Sequence, residues 1–177
     1  RMPAEEAEHE RTWMCWPSST EVWGTDLPVV QDAIVRIATA IVAFEPVTML
    51  ARPDQVDSVQ ELFGGQVEVL EATVDDLWAR DTLPNFVVRK RDDGMAELGA
   101  GRVRFNGWGD KQIHEGDAQL AATVADLLDL DLIDSGIVGE GGGLEVDGAG
   151  TVMAAESSWV NDNRNPGLTR DEIEEAL

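Results

Sequence analysis

The stretch Asp75-Asp76-Leu77-Trp78-Ala79-Arg80-Asp81 decides how the fold is predicted, because it separates two segments with the character of β-strands. Residues 66–69 before it alternate polar and apolar side chains, and residues 85–88 after it form a short β-prone run. The seven residues combine three carboxylates, one guanidinium and one indole. The pattern predicts a loop that crosses from strand to strand, and loops on rigid sheets commonly carry functional sites.

The composition of this loop allows two interpretations. A solvent-exposed acidic loop, with Arg80 paired locally, is the more common meaning of a single acidic cluster. Trp78 favours a binding site instead, because an indole is costly to leave in water and can cover a flat cation. Carboxylates would bind the same cation from its edge.

The overall charge of the chain limits the class of its partners. Its 177 residues contain 35 Asp and Glu against 13 Lys and Arg, a formal net charge of -22. This charge disfavours nucleic acid and anionic membranes as partners and favours small cations. Length and a hydrophobic content of 43% fit one core, so we expect residues 1–177 to be one domain or part of a larger one.

The cysteine content and the apolar runs predict a soluble, cytoplasmic protein. There is no apolar run of about 18 residues, and no secretory signal pattern at the start. Cys15 is the only cysteine, and its apolar neighbours favour a buried, inert thiol, since reactive thiols need a positive or helix N-terminal setting.

The histidines and glycines of the chain match no metal-binding or nucleotide-binding motif. His9 and His114 each precede a glutamate but belong to no paired-histidine motif. The triplet Gly141-Gly142-Gly143 lacks the Lys-Ser/Thr that follows a phosphate-binding glycine loop. It is either a plain tight bend or a place where the backbone passes close to a ligand while Glu140 points at that ligand.

The predicted elements follow the same order twice: a helix, a strand, a loop with a carboxylate, and a hairpin with an Asp-Gly turn. The carboxylates are Asp81 and Glu140. Repetition at this spacing suggests a propeller-like or stacked α/β architecture. The predicted elements are a buried strand at 12–16, a helix at 26–43, a strand at 47–51, a helix at 54–63, a strand at 67–70, a hairpin around Asp92-Asp93-Gly94, a helix from Asp117 with Leu120, Val124 and Leu127 inward, a strand near Leu132, a hairpin around Asp147-Gly148-Ala149-Gly150, and a helix opened by the capping box Thr169-Arg170-Asp171-Glu172.

The motifs together resemble those of agmatine deiminases and the related bacterial-type peptidylarginine deiminases, within the guanidine-modifying superfamily of pentein fold. Each motif alone is weak, but their joint order is specific and covers nearly the whole chain. They are Met2-Pro3-Ala4-Glu5, His9-Glu10-Arg11-Thr12-Trp13-Met14 with Trp16-Pro17-Ser18, Trp78-Ala79-Arg80-Asp81, Asn106-Gly107-Trp108-Gly109-Asp110-Lys111, Glu140-Gly141-Gly142-Gly143 with Glu145-Val146-Asp147-Gly148, and Asn163-Arg164-Asn165-Pro166-Gly167.

The resemblance implies a five-module α/β propeller, of which this chain would be the N-terminal half. It implies that Asp81 and Glu140 hold a substrate guanidinium by charge-assisted hydrogen bonds and that Trp78 lines the pocket. Trp108 is a second candidate for substrate binding, although its loop could equally be a packed turn or a lid. A family cysteine attacks the guanidinium carbon, ammonia leaves and water hydrolyses the thioether, while a histidine moves protons. The resemblance implies that no metal or organic cofactor is required.

The chain departs from the family pattern because it ends before the family's nucleophilic cysteine and His-x-Asp pair. Glu6 and Leu83 also stand where relatives often have Trp and Gly.

The expected function is conversion of agmatine to N-carbamoylputrescine and ammonia, a step of putrescine biosynthesis, by the full-length protein. The alternatives are deimination of peptidyl-arginine to citrulline and a truncated, non-catalytic module that binds guanidinium or polyamine cations. The expected partners are a small guanidinium substrate and the missing C-terminal half, and homo-oligomerisation is left open.

Overall fold

The structure, a computed structural model, describes residues 1–177. Helices and strands alternate along the chain, which confirms the predicted α/β class. None of the helices combines the length and apolar character needed to cross a membrane. The helices are α1 (Thr20–Trp23), α2 (Leu27–Val42), α3 (Val56–Phe63), α4 (Ala79–Thr82), α5 (Gly107–Asp110), α6 (Leu120–Leu127), α7 (Glu156–Trp159) and α8 (Arg170–Ala176). The strands are β1 (Thr12–Cys15), β2 (Val47–Ala51), β3 (Glu68–Glu71), β4 (Asn85–Lys90), β5 (Ala96–Arg104), β6 (Leu132–Val138), β7 (Leu144–Val146) and β8 (Val152–Ala154).

The residues group into two units. The parallel-sheet unit comprises Glu8–Ala79, and the mixed-sheet unit comprises Arg1–Ala7 with Arg80–Leu177. The strands form separate sheets of three, three and two strands. A single domain and a closed propeller therefore stay predictions.

The parallel-sheet unit contains strands β1, β2 and β3 in that order, all parallel. Helices α2 and α3 form the crossovers that parallel strands require. Every residue of the central strand β2 is buried, as expected of a strand covered on both faces. Cys15 at the end of β1 is 1% exposed, which confirms that this cysteine is buried.

Local signals placed the helices of this unit well. Pro28 lies in the first turn of α2, which ends one residue before the predicted boundary. Gly64 ends α3 in the left-handed conformation at φ 56°, which glycine adopts readily. The start of α3 is two residues later than expected, and α1, which Ser19 caps, was not predicted.

The mixed-sheet unit begins with the predicted hairpin. Strands β4 and β5 are antiparallel, and Gly94 between them adopts φ 83°. Helix α6 then leads to β6, which pairs with β5 in parallel. The expectation for Leu127 was wrong: it is 47% exposed, whereas Leu120 and Val124 are buried, because Leu127 is the last residue of α6 and lies beyond the part of the helix that is packed.

The second predicted hairpin joins β7 and β8. At its turn, the Asp147 carboxylate accepts hydrogen bonds from the backbone N–H groups of Ala149 (2.7 Å) and Thr151 (2.9 Å). Helix α8 has the predicted capping box between Thr169 and Glu172. The core of this region is formed by apolar side chains from β6, β7, α7 and α8, which are Ile137, Leu144, Trp159 and Ile173. The repeated order of helix, strand, carboxylate loop and hairpin is thus confirmed as an order of elements.

Candidate functional site

Asp81 lies on the short helix α4, and both oxygens of its carboxylate accept hydrogen bonds. The indole Nε1–H of Trp108 donates to Oδ2 at 3.1 Å. The backbone N–H of Gly142 donates to Oδ1 at 3.2 Å. One donor comes from the segment after β5 and the other from the segment after β6, so two loops of the mixed-sheet unit converge on this carboxylate.

The loop that carries Trp108 has an unusual backbone. Trp108 (φ 57°) and Asp110 (φ 56°) both occupy the left-handed region, which is costly for residues other than glycine. Asn106 stabilises the loop because its Oδ1 accepts the N–H of Gly109 at 2.9 Å. The ring of Phe105 meets the Trp108 ring edge to face, with centroids 5.0 Å apart. The strained backbone is therefore held by local contacts that direct the indole N–H at Asp81.

The glycine triplet after Glu140 is a single 3-10 turn that passes against α4. A Cβ atom on Gly142 would lie 2.2 Å from Oδ1 of Asp81, and one on Gly141 would lie 2.6 Å from the carbonyl oxygen of Arg80. Neither side chain could be accommodated without movement. The glycines thus allow the backbone of residues 141–142 to pass close to helix α4, which carries Asp81.

Glu140 follows β6 and is only 6% exposed. The Nη2 atom of Arg164 lies 2.7 Å from Oε1 of Glu140, and both side chains are largely buried. The two groups are close enough for an ion pair, although the guanidinium N–H does not point at that oxygen in a hydrogen-bond geometry. The second predicted carboxylate is therefore already beside a cation of the same chain.

The pKa of Glu140 is raised above its ordinary value. Burial is the main cause, and the charge of Asp81 raises it further, while Arg164 and Lys111 lower it. Asp81 and Glu140 are therefore near enough for their charges to interact. Together with Arg164 they form one charged cluster in the mixed-sheet unit, which we call the carboxylate pair site.

Arg80 does not pair with the acidic residues that flank it in sequence. Its Nη2 atom lies 2.7 Å from Oε1 of Glu5, in a solvent-exposed ion pair. Asp81 is therefore available for the contacts described above.

Trp78 belongs to the parallel-sheet unit, where a buried carboxylate holds it. Asp76 is fully buried, and its two oxygens accept the indole N–H groups of Trp23 (2.8 Å) and Trp78 (2.9 Å). Trp78 is 39% exposed, so a buried carboxylate fixes the orientation of a partly accessible indole. Asp76 is thus not a solvent-exposed acidic residue.

The other residues weighed in the sequence lie elsewhere. His9 pairs with Glu45 at 3.4 Å, and Nδ1 of His114 lies 2.9 Å from the carbonyl oxygen of Gln112. Among residues 1–177, no group of three or more His, Cys, Asp or Glu side chains is arranged to hold a metal ion. The carboxylate pair site can bind and orient a planar cation by charge-assisted hydrogen bonds.

Sequence reasoning missed three contributors to these arrangements. Arg164 appeared only as part of a motif, and neither Trp23 nor the burial of Asp76 was predicted. Arg164 lies 24 positions after Glu140, and no periodicity connects them. The shared motif Asn163-Arg164-Asn165-Pro166-Gly167 was the only signal that could have drawn attention to it.

Comparison with known proteins places the chain in a family. The sequence profile of the Porphyromonas-type peptidyl-arginine deiminases matches residues 1–177. The chain belongs to this family. A relative from Streptomyces coelicolor is 42% identical over 98% of this chain and 51% of its own length. The agmatine deiminase of Ectopseudomonas mendocina is 37% identical over 99% of this chain and 49% of its own length.

Solved structures agree with the membership in the peptidyl-arginine deiminase family. The agmatine deiminase of Enterococcus faecalis superposes with a TM-score of 0.91 at 30% identity, covering 100% of this chain and 49% of that one. A structure described as a peptidyl-arginine deiminase gives a TM-score of 0.86 at 26% identity. The chain spans about half the length of the curated relatives it matches.

Proposed function

We propose that the full-length protein containing this chain is a hydrolase that converts agmatine and water to N-carbamoylputrescine and ammonia. The observation that carries the proposal is the convergence of Asp81 and Glu140 in one charged cluster: Gly142, two residues after Glu140, donates its N–H to Asp81, and Arg164 lies beside Glu140. Two carboxylates can receive the N–H groups on two edges of a guanidinium, the group that agmatine presents. The relatives named agmatine deiminase support the same substrate.

Asp81 is proposed to bind the guanidinium through the lone pairs that its present donors leave unused. An ionised carboxylate has about four acceptor positions, and Trp108 and Gly142 occupy only two of those on Asp81. Glu140 is proposed to bind a second edge of the guanidinium. Trp78 and Trp108 are the proposed substrate-binding residues.

The chemical step is proposed to use a cysteine and a histidine supplied by a C-terminal half. The thiolate forms a bond to the guanidinium carbon, and the carbon–nitrogen bond breaks as ammonia leaves with a proton from the histidine. Water then adds to the same carbon and the carbon–sulfur bond breaks, which releases the ureido product and regenerates the thiol. The carboxylates bind and orient the substrate throughout.

The proposed fold follows from the same resemblance. Residues 1–177 would form about half of a five-module propeller of a cytoplasmic enzyme, with the other half closing the ring. A structure of the full-length protein would test this, since an open arrangement without a central axis would exclude it.

Peptidyl-arginine is a second candidate substrate, because the matching family is described as a peptidyl-arginine deiminase family. The two candidates present the same guanidinium and differ in what is attached to it. Agmatine carries a primary amine, whereas peptidyl-arginine carries a backbone.

Ammonia release from both substrates by the natural full-length protein tests the proposal. We expect saturable ammonia release from agmatine with an equal amount of ureido product, and much weaker release from an arginine-containing peptide. A preference for the peptide would replace the first candidate by the second. No release from either substrate would contradict both.

A further inference from the structure

Three consecutive residues, Asn163 to Asn165, connect Glu140 with the chain segments on either side of the carboxylate pair site. The carbonyl oxygen of Asn163 accepts a hydrogen bond from Nδ2 of Asn106, in the loop that carries Trp108 (2.8 Å). The guanidinium of Arg164 lies beside Glu140. The Asn165 side chain exchanges two hydrogen bonds of 2.8 Å with the backbone of Val138, two residues before Glu140.

We infer that Arg164 is a positioning residue for Glu140: it holds one carboxylate oxygen, so that the other is presented to the substrate guanidinium. Its neighbours Asn163 and Asn165 fix it to the two loops that carry Trp108 and Glu140. The inference rests on the proposed function for its effect on turnover. It gives the positively charged Arg164 a role in a site that is itself proposed to bind a cation.

The fold makes room for this arginine at the expense of another side chain. A Cβ atom on Gly109 would lie 2.6 Å from Nη1 of Arg164, so a side chain at this position would collide with the guanidinium where it lies now. The Arg164 side chain is only 11% exposed, and its buried Nε has no hydrogen-bond partner. A guanidinium removed from water in this way is stable only beside a compensating charge, and Glu140 supplies it.

Arg164 also balances the charge of the carboxylate pair site. The charged groups that face Glu140 are Arg164, Asp81 and Lys111, and Lys111 is solvent-exposed. Two carboxylates and one resident guanidinium leave a single negative charge, which one substrate guanidinium neutralises. If Arg164 were removed, no buried positive charge would offset the repulsion between Asp81 and Glu140.

A role in positioning predicts a pH effect that a purely structural role does not. Burial and Asp81 raise the pKa of Glu140, and Arg164 opposes them, so its removal raises that pKa further. The acidic limb of kcat/KM should then move to higher pH by about one unit or more, the usual effect of losing an adjacent opposite charge. Substrate binding should suffer less than kcat, because the site becomes more negative.

The experiment compares Arg164→Gln, Arg164→Lys and the control Arg104→Gln in the full-length protein. Arg104 makes an exposed ion pair with Asp134 at 3.1 Å in the same unit. We expect Arg164→Gln to lower kcat by roughly tenfold or more and to displace the acidic limb. Arg164→Lys should restore the position of the limb but only part of kcat, since an ammonium cannot present a planar fork. Arg104→Gln should match the wild type.

An unchanged kcat in Arg164→Gln, or a lowered kcat with the acidic limb in its wild-type place, would overturn the inference. If Arg164→Gln does not fold, Arg164→Lys decides: a lowered kcat with an undisplaced limb supports the inference, and a full kcat or a displaced limb overturns it. A wild type without deiminase activity would instead contradict the proposed function.

An equilibrium measurement then tests the inference without turnover. Glu140 has a raised pKa in the folded protein, so protonation favours folding and this stabilisation is lost as pH rises through the folded pKa. The stability lost in Arg164→Gln should shrink as pH falls through the same range, because a neutral Glu140 no longer needs a cation. A loss of stability in Arg164→Gln that is independent of pH would overturn the inference. In Arg164→Lys, which keeps the charge, the loss of stability should vary little with pH. A loss in Arg164→Lys that shrinks in acid as it does in Arg164→Gln would also overturn the inference.

Discussion

Asp81 and Glu140 are held in different ways, although both are proposed to bind the same guanidinium. Asp81 accepts two hydrogen bonds from neutral groups, an indole N–H and a backbone N–H. Glu140 is buried beside the guanidinium of Arg164. Neutral donors orient a carboxylate without changing the charge of the site, whereas a resident cation also neutralises one carboxylate charge.

The two arrangements should respond differently to mutation. A single neutral hydrogen bond contributes about 0.5–1.5 kcal/mol, and Asp81 would keep one donor if it lost the other. A buried ion pair that loses one partner costs about 3–5 kcal/mol, because the other charge stays buried. The site should therefore tolerate changes around Asp81 better than changes around Glu140.

The largest expected effect is the loss of all turnover in the isolated chain 1–177. The carboxylates are proposed to bind the guanidinium, whereas the proposed nucleophile and proton carrier belong to the C-terminal half. We expect no ammonia from agmatine under conditions in which the full-length protein is active. Saturable product formation by the isolated chain that persists in a Cys15→Ala control would overturn the division of roles between the two halves.

The next largest effect should follow from Asp81→Asn and Glu140→Gln in the full-length protein. Each replacement removes the charge that faces a desolvated cation, so we expect a loss of about 3 kcal/mol, roughly 100-fold in kcat/KM. Asp134→Asn, in an exposed ion pair of the same unit, is the matched control. Near-normal turnover in both site variants would mean that these are ordinary loop carboxylates.

Gly142→Ala should disturb Asp81 without removing any polar group. The added Cβ would lie 2.2 Å from Oδ1 of Asp81, so the carboxylate or the loop must move. We expect kcat/KM to fall by roughly tenfold or more, because small displacements of orienting groups are costly. In the control Gly143→Ala the nearest atoms belong to Trp159 at 3.3 Å, and the loss should be at most a few-fold. Equal effects of the two variants would contradict this account.

Local sequence signals explain how much of the fold could be predicted. Helix α2, strand β2 and the hairpin at Gly94 depend on periodicity or turn chemistry within a few residues, and they were found close to their true bounds. The failure at Leu127 has the opposite origin, since an apolar residue at a helical spacing is buried only if another element covers that turn.

The contacts of the candidate site could not be predicted in the same way. Asp81 meets an indole 27 positions later and a backbone N–H 61 positions later. Such pairs are set by the packing of whole elements, and composition does not record them. The repeated order of elements pointed to the two carboxylates, and the resemblance implied their role. Neither indicated the cation beside Glu140 or the buried carboxylate that orients Trp78.

Trp108→Phe should have a smaller effect than the glycine variant. The change removes the indole N–H that Asp81 accepts at 3.1 Å and keeps an aromatic ring. We expect a loss of about 1 kcal/mol, roughly fivefold in kcat/KM. Phe105→Leu, which keeps the indole donor but loses the ring contact, is the control. If it reduces kcat/KM as much as Trp108→Phe does, ring packing and not the hydrogen bond orients Asp81.

The smallest effect concerns Asp147, which separates the influence of neutral donors from that of burial. Hydrogen bonds from Thr151 and Ala149 lower the pKa of this exposed carboxyl to about 2, whereas burial raises the pKa of Glu140. A lowered pKa in the folded state means that the stabilisation is present above the unfolded value of about 4 and is lost as pH falls through about 2. Urea unfolding of Asp147→Asn should therefore show a small loss of stability at neutral pH that disappears in acid, while kcat/KM stays unchanged. A loss of stability that persists below pH 2 would mean that the charge of Asp147 does not stabilise the turn. Hydrogen bonds from neutral donors would then not explain why the pKa values of Asp147 and Glu140 shift in opposite directions.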